Sequence, residues 1–120
     1  MRRMLSIAAI LAVAAFQHAW ADGDATRGQQ IYESRCIACH SPDANRVGPM
    51  HRGVFGRKAG SVAGYAYSKA LKGTDFVWNE ETLDKWLTNP QAFVPGQNMN
   101  FKVANPQDRA DVIAYLKTLR

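Results

Sequence analysis

The two cysteines of the chain stand three positions apart, with a histidine directly after the second, in the run Cys36-Ile37-Ala38-Cys39-His40. On one helical turn, two thiols at this spacing can each add to a vinyl group of the same porphyrin and form two thioether bonds. The imidazole of His40 can then bind the iron from one face. The run therefore predicts a covalently attached haem c, around which the rest of the chain must fold.

The first 21 residues are typical of a cleaved export signal. Arg2-Arg3 is followed by an apolar run over 5–16, and the small-x-small pattern of a cleavage site ends at Ala21. The apolar run has about a dozen residues, short of the roughly 20 that span a bilayer, so a retained anchor is the weaker alternative. The pattern predicts export to the periplasm. We expect a cleaved signal peptide over 1–21 and one small domain over 22–120.

Three other interpretations of the cysteine motif explain less of the sequence. A thioredoxin-like redox pair needs a strand before the motif, whereas residues 24–35 favour a helix. A zinc site needs four ligands, and the exported part offers no cysteine or histidine beyond Cys36, Cys39, His40 and His51. A disulfide that closes so short a loop would add little stability. Covalent haem attachment remains the favoured interpretation.

Charge and size limit the classes of function. The formal net charge of the whole chain is +5 at pH 7, and it falls by two when Arg2 and Arg3 leave with the signal. Two haem propionates would lower it further, so nucleic-acid binding is not expected. Because so small a domain buries little apolar surface alone, we expect folding to depend on the haem.

Helix signals divide the domain into helices and loops, and no alternating run indicates a strand. Asp24, Asn79 and Asn105 are candidate N-caps, and Pro106 suits the first position of the last helix. Gly28 would let the first and last helices approach closely. Loops rich in Gly and Pro connect them. The predicted helices cover about 24–36, 68–72, 79–88 and 106–119.

A haem bound by His40 needs a sixth iron ligand, and the candidates are Met50, His51 and Met99. Met99 follows the turn-forming pair Pro95-Gly96, about sixty residues beyond His40, and can return over the opposite face. Met50 and His51 lie close behind His40 and would have to pass round the porphyrin edge. This context favours Met99, although the residues alone leave the other two open.

Further motifs follow in order along the chain. They are Val47-Gly48-Pro49, the run 53–60 (GVFGRKAG), Trp78, Asn89-Pro90, the run 95–99 (PGQNM), Phe101 and Ala114-Tyr115-Leu116. Together with the cysteine motif, they make the chain resemble a class I cytochrome c of the soluble bacterial type close to mitochondrial cytochrome c. The resemblance covers essentially all of 22–120. It implies an all-α single-domain fold whose N- and C-terminal helices pack together while loops wrap a covalently attached haem.

The resemblance also implies roles for individual residues. His40 and Met99 would be the axial ligands, and the carbonyl of Pro49 would accept a hydrogen bond from the His40 ring and fix its orientation. Guanidinium, phenol and indole donors can satisfy a buried carboxylate. Three such donors are implied to surround a haem propionate: Arg57, Tyr67 and Trp78. From the residues alone, Trp78 would be assigned to the core.

The sequence departs from the mitochondrial pattern near the haem edge. Trp86 stands where an aromatic phenol is usual. Lysines that would be expected are replaced by Gln91, Ala92 and Asn98. The remaining basic ring consists of Arg35 and Lys102, with Lys85 or Lys72 as further candidates. Strongly salt-dependent, lysine-steered docking is therefore not expected.

The implied function is one-electron transfer, without enzymatic activity. Two strong axial ligands leave no iron site for a substrate, and no nucleophile, acid pair or open substrate pocket is visible. Expected partners are a quinol-oxidising complex or periplasmic dehydrogenase as donor, and an oxidase or reaction centre as acceptor, docked transiently by a monomer. A second hypothesis is a ligand-binding or weakly peroxidatic haem protein with a labile Met99 bond. A third is a thiol oxidoreductase.

Overall fold

A computed structural model describes residues 22–120, and the predicted signal peptide over 1–21 lies outside them. In that range the helices are α1 (Ala25–Arg35), α2 (Lys69–Lys72), α3 (Glu80–Thr88), α4 (Pro90–Phe93) and α5 (Pro106–Thr118). The one extended pairing there is an isolated bridge between Lys58 and Val77. The all-α prediction is confirmed. No described helix is long and apolar enough to cross a membrane.

Side-chain caps begin the helices close to where the sequence predicts, and the four predicted helices agree with the observed ones to within one residue. One helix was missed. Asn89 closes α3, and its side-chain oxygen also accepts a hydrogen bond from the backbone N–H of Ala92, so it caps α4. Pro90 then occupies the first position of α4, where its missing N–H costs nothing. The Asn-Pro pair thus joins two helices, whereas the prediction treated it only as a stop.

Helices α1 and α5 pack together, as predicted, and their contact is closest at Gly28. A Cβ on Gly28 would lie only 1.8 Å from the backbone oxygen of Asp111. Gly23, just before α1, makes a similar approach, since a Cβ there would lie 2.0 Å from the oxygen of Ala110. The apolar side chains that α1 and α5 bury in the core are Ile31, Tyr32, Val112, Ile113 and Leu116.

A charged cluster joins the same two helices. The guanidinium of Arg27 donates to Asp108 at 2.7 Å and also to Asp111. Asp111 is 1% exposed and accepts further hydrogen bonds from the backbone N–H of Asp24 at 2.8 Å and the side chain of Gln107 at 3.0 Å. Burial acts to raise the pKa of Asp111, but these hydrogen bonds outweigh it, and the pKa lies below its usual value.

We predict that Gly28→Ala destabilises the haem-containing protein by about 1–3 kcal/mol, because the new methyl group forces backbone against backbone. Helix propensity alone would favour alanine by roughly 1 kcal/mol. The sign of the measured change in stability therefore distinguishes the backbone clash from the effect of propensity. Denaturant unfolding followed by circular dichroism measures the change. The matched control is Gln30→Ala, at an exposed position of the same helix. Equal stability of the two variants would contradict the close contact.

We also predict a pH signature for Asp111. Because its folded-state pKa is depressed, its ionised form stabilises the fold fully above the unfolded pKa of about 4, and this contribution disappears as pH falls through the folded pKa. Asp111→Asn should therefore cost about 2 kcal/mol at pH 7 and progressively less in acid. Asp75→Asn, at an exposed loop position, is the control. A pH-independent difference from wild type would refute the assignment.

Candidate haem-binding site

The chain continues from α1 into one more turn that carries both cysteines. The backbone N–H groups of Cys39 and His40 both donate to the carbonyl of Cys36, at 3.2 and 2.9 Å. Both thiols are free, with Cys36 half-buried and Cys39 exposed. Burial raises the pKa of the Cys36 thiol to about 11, so it stays protonated at neutral pH. A redox-active pair needs a lowered thiol pKa, so this turn suits covalent attachment better than thiol exchange.

The ring of His40 is oriented by the segment that follows. Its Nδ1 lies 2.9 Å from the carbonyl oxygen of Pro49. A carbonyl can only accept, so Nδ1 carries the proton and the lone pair of a neutral ring resides on Nε2. Burial lowers the pKa of His40 and so favours the neutral form. A Cβ on Gly48 would lie 2.1 Å from the Cε1 atom of His40, so the backbone there packs directly on the ring.

The ring of His51 stacks directly on the ring of His40. The two rings have centroids 4.0 Å apart and planes inclined by 19°. Nδ1 of His51 lies 2.9 Å from the hydroxyl of Tyr32, a residue of α1. Two rings stacked in this way cannot bind one iron from opposite faces, which disfavours His51 as the sixth ligand. Sequence reasoning missed the stack because no local pattern connects these positions.

Arg46 is a second residue of the site that sequence reasoning missed. Its guanidinium donates to the carbonyl of Ile37 at 2.5 Å and lies 3.4–3.5 Å from those of Ala38 and His40. Carbonyl groups at the end of a helical turn lack partners within the turn, and a basic side chain can supply them. A basic residue soon after such a turn is a sequence signal that could have identified Arg46.

Arg57 and Trp78, two of the three predicted propionate residues, are joined through their backbones. The N–H of Trp78 donates to the carbonyl of Arg57 at 2.8 Å. The Arg57 guanidinium donates to the carbonyls of Met50 and Arg52, at 2.9 and 3.3 Å. No acidic side chain within 22–120 pairs with it. Burial lowers the pKa of Arg57, and a nearby anion would stabilise this half-buried cation.

Tyr67 and Trp78 have other partners as well. The hydroxyl of Tyr67 accepts a hydrogen bond from the backbone N–H of Val62 at 2.9 Å. The Tyr67 side chain also acts to raise the pKa of Arg57, which offsets part of the lowering caused by burial. Trp78 is 6% exposed and packs edge-on against Phe76 and Trp86. Trp78 thus belongs to the hydrophobic core, as the residues alone suggest, while its backbone remains tied to Arg57.

Met99 lies in a separate loop. It is half-buried against the hydrophobic core, and its backbone N–H donates to the side-chain oxygen of Gln97 at 2.5 Å. Gly96, at φ +90°, makes the turn that the Pro-Gly pair predicts. His40 follows α1, whereas Met99 lies between α4 and α5, so the two come from separate segments of the chain.

This donor set fits haem c. Two free thiols lie on one turn beside a neutral imidazole, a thioether lies in a loop against the core, and a half-buried guanidinium has no carboxylate partner among the described side chains. By contrast, residues 22–120 contain no group of three or more His, Cys, Asp or Glu placed to hold a metal ion, so the zinc interpretation finds no ligand set there. Fold and site together define a c-type haem protein.

Comparison with known proteins gives the family. The family model "Cytochrome c" matches residues 25–120. The chain is 50% identical over 104 residues to cytochrome c2 of Rhodomicrobium vannielii, covering 83% of this chain and 82% of the relative. It is 48% identical over 101 residues to cytochrome c of Euglena viridis, covering 82% and 99%. The solved structure of cytochrome cH from Methylobacterium extorquens aligns with a TM-score of 0.76 at 44% identity, over 80% of this chain and 99% of that one.

The chain therefore belongs to the class I cytochrome c family. It carries one haem c, attached covalently through its two cysteines, and it is an electron carrier whose partners are redox proteins.

We predict that Arg46→Gln lowers the free energy of unfolding by about 1 kcal/mol, because carbonyls of the attachment turn lose their donor. Arg46→Lys should recover part of the loss, since one ammonium can reach fewer of them at once. Guanidinium unfolding of the haem-containing protein measures both. Lys58→Gln, an exposed cation with no ion pair in the described residues, is the control for charge alone. An effect of Arg46→Gln no larger than this control would refute the capping role.

Proposed function

We propose that the chain is a periplasmic one-electron carrier whose haem iron has His40 and Met99 as axial ligands. Haem c, when bound, supplies an iron that alternates between the ferrous and ferric states. The observation that carries the proposal is the attachment turn, which presents both free thiols beside a neutral imidazole. The hydrogen bond to Pro49 holds that imidazole with the Nε2 lone pair available.

The setting of Met99 supports its role as the second ligand. Its thioether is a soft, uncharged donor that favours ferrous iron and so raises the reduction potential. Partial burial against the core limits the reorganisation of water when the iron charge changes, and the Gln97 hydrogen bond restrains the loop. His51 stacks on His40, which disfavours it as the ligand on the opposite face. Met50 directly follows Pro49, whose carbonyl contacts the His40 ring, so its backbone lies on the His40 side of the site.

Arg57 is proposed to bind a haem propionate. Its guanidinium is half-buried and has no carboxylate partner within 22–120, so an added anionic group would remove an electrostatic cost. Tyr67, whose phenol lies near enough to act on the pKa of Arg57, is the proposed second donor. Trp78 is proposed to contribute mainly by fixing the Arg57 backbone.

The proposed location and partners are supported by the predicted signal peptide and by bacterial relatives named cytochrome c2 and cytochrome cH. We propose a quinol-oxidising complex or periplasmic dehydrogenase as donor, and an oxidase or reaction centre as acceptor. Two residues of the basic ring are already paired, Arg35 with Asp108 and Lys85 with Glu81. Their pairing supports docking that depends only modestly on lysine charge and on salt.

Replacing Met99 with Ala tests the ligand assignment. We expect the weak red-edge absorption band of an iron–methionine bond, present in the ferric wild type, to disappear, and the reduction potential to fall because a ligand that favours ferrous iron is lost. Optical spectroscopy and a redox titration measure the two effects. Met50→Ala is the matched control and should leave both unchanged. A Met99→Ala protein with the wild-type band would refute the proposal, as would loss of the band in Met50→Ala.

A further inference from the structure

Three contacts restrain the ring of His40: a hydrogen bond at Nδ1, the backbone of Gly48 and the ring of His51. Binding an iron does not by itself require the contact with His51. Pro49 holds Nδ1, and the Gly48 backbone packs so closely that a Cβ there would lie 2.1 Å from Cε1 and 2.5 Å from each ring nitrogen. These three distances place the Gly48 contact over a face of the ring. The ring of His51 lies 4.0 Å from the ring of His40, which leaves no room for the Gly48 backbone between them. His51 therefore covers the opposite face of the His40 ring.

His51 is itself held in place from the core. Its backbone N–H donates to the carbonyl of Ser41 at 3.1 Å, and its Nδ1 pairs with the Tyr32 hydroxyl at 2.9 Å. Tyr32 is 1% exposed, and its ring packs against Tyr115 of α5 at a centroid distance of 5.1 Å. The stack is thus anchored in the interface of α1 and α5.

We propose that Tyr32 and His51 are positioning residues that fix the plane of the His40 imidazole relative to the haem. This inference rests on the proposed role of His40 as an iron ligand. One hydrogen bond tolerates considerable angular error, so the Pro49 carbonyl alone leaves the ring free to tilt and turn. Parallel contact with His51, whose own ring is fixed by Tyr32, removes that freedom.

Imidazole orientation has a spectroscopic signature that a purely structural role does not share. In low-spin ferric haem proteins, the plane of the axial imidazole, together with the orientation of the other axial ligand, determines which iron d orbital holds the unpaired electron and how spin density spreads over the porphyrin. The g values in electron paramagnetic resonance and the paramagnetic NMR shifts of the four haem methyl groups report it. Stability measurements do not.

The test compares three variants in the haem-containing protein. Tyr32→Phe removes only the hydroxyl that holds His51, His51→Leu removes the stacked ring, and His51→Phe restores a ring without the hydrogen bond. Tyr115→Phe is the matched control, since its hydroxyl donates no hydrogen bond within 22–120 whereas its ring packs on Tyr32. Tyr32→Phe keeps the test decisive if both His51 variants fold poorly.

We expect Tyr32→Phe and His51→Leu to shift the haem methyl resonances and the g values, with His51→Phe closer to wild type than His51→Leu. Tyr115→Phe should leave the spectra unchanged. Methyl shifts in Tyr32→Phe no larger than those in Tyr115→Phe would overturn the inference. The red-edge iron–methionine band is recorded in parallel. Its absence from the wild type would refute Met99 as ligand, while the methyl shifts would still decide the role of Tyr32 and His51.

Discussion

The close contact between α1 and α5 is the constraint on which the rest of the structure depends. It requires a residue without a side chain at Gly28, because any Cβ would meet the backbone of Asp111. The cluster of Arg27, Asp108 and Asp111 then links the two helices near their N-terminal ends. Since the attachment turn is the direct continuation of α1, this contact also determines where both thiols and His40 lie. The haem site therefore begins in the packing of two helices.

The same contact extends through side chains to His40, the proposed iron ligand. Tyr32 is buried between the helices, its hydroxyl meets His51, and the ring of His51 lies on His40. Gly48 and Pro49 complete the surroundings of the ligand from the loop that follows the turn. A ring held on both faces and at Nδ1 has little freedom to reorient as the iron changes charge, which suits a carrier that must lose and gain an electron with little rearrangement.

The sequence predicts the parts of this structure that local chemistry determines. The cysteine motif, the caps at Asp24 and Asn79, and the small residue at Gly28 each act through near neighbours or through one helix face. The missed features have other causes: α4 escaped because an Asn-Pro pair can both end and begin a helix. The stack of His51 on His40 and the burial of Asp111 depend on neighbours that only the folded chain brings together. The role of Arg57 came from resemblance alone, and that of Met99 from the context of its loop together with resemblance; both are proposals.

We propose that the iron site is closed by two ligands from the chain, as a carrier requires. The most direct measurement is the optical spectrum of the reduced, haem-containing protein at neutral pH before and after addition of carbon monoxide. A closed site with His40 and Met99 as ligands predicts an unchanged spectrum. A rapid change to the spectrum of a carbon monoxide complex would contradict a closed iron site and favour a ligand-binding or weakly peroxidatic haem protein.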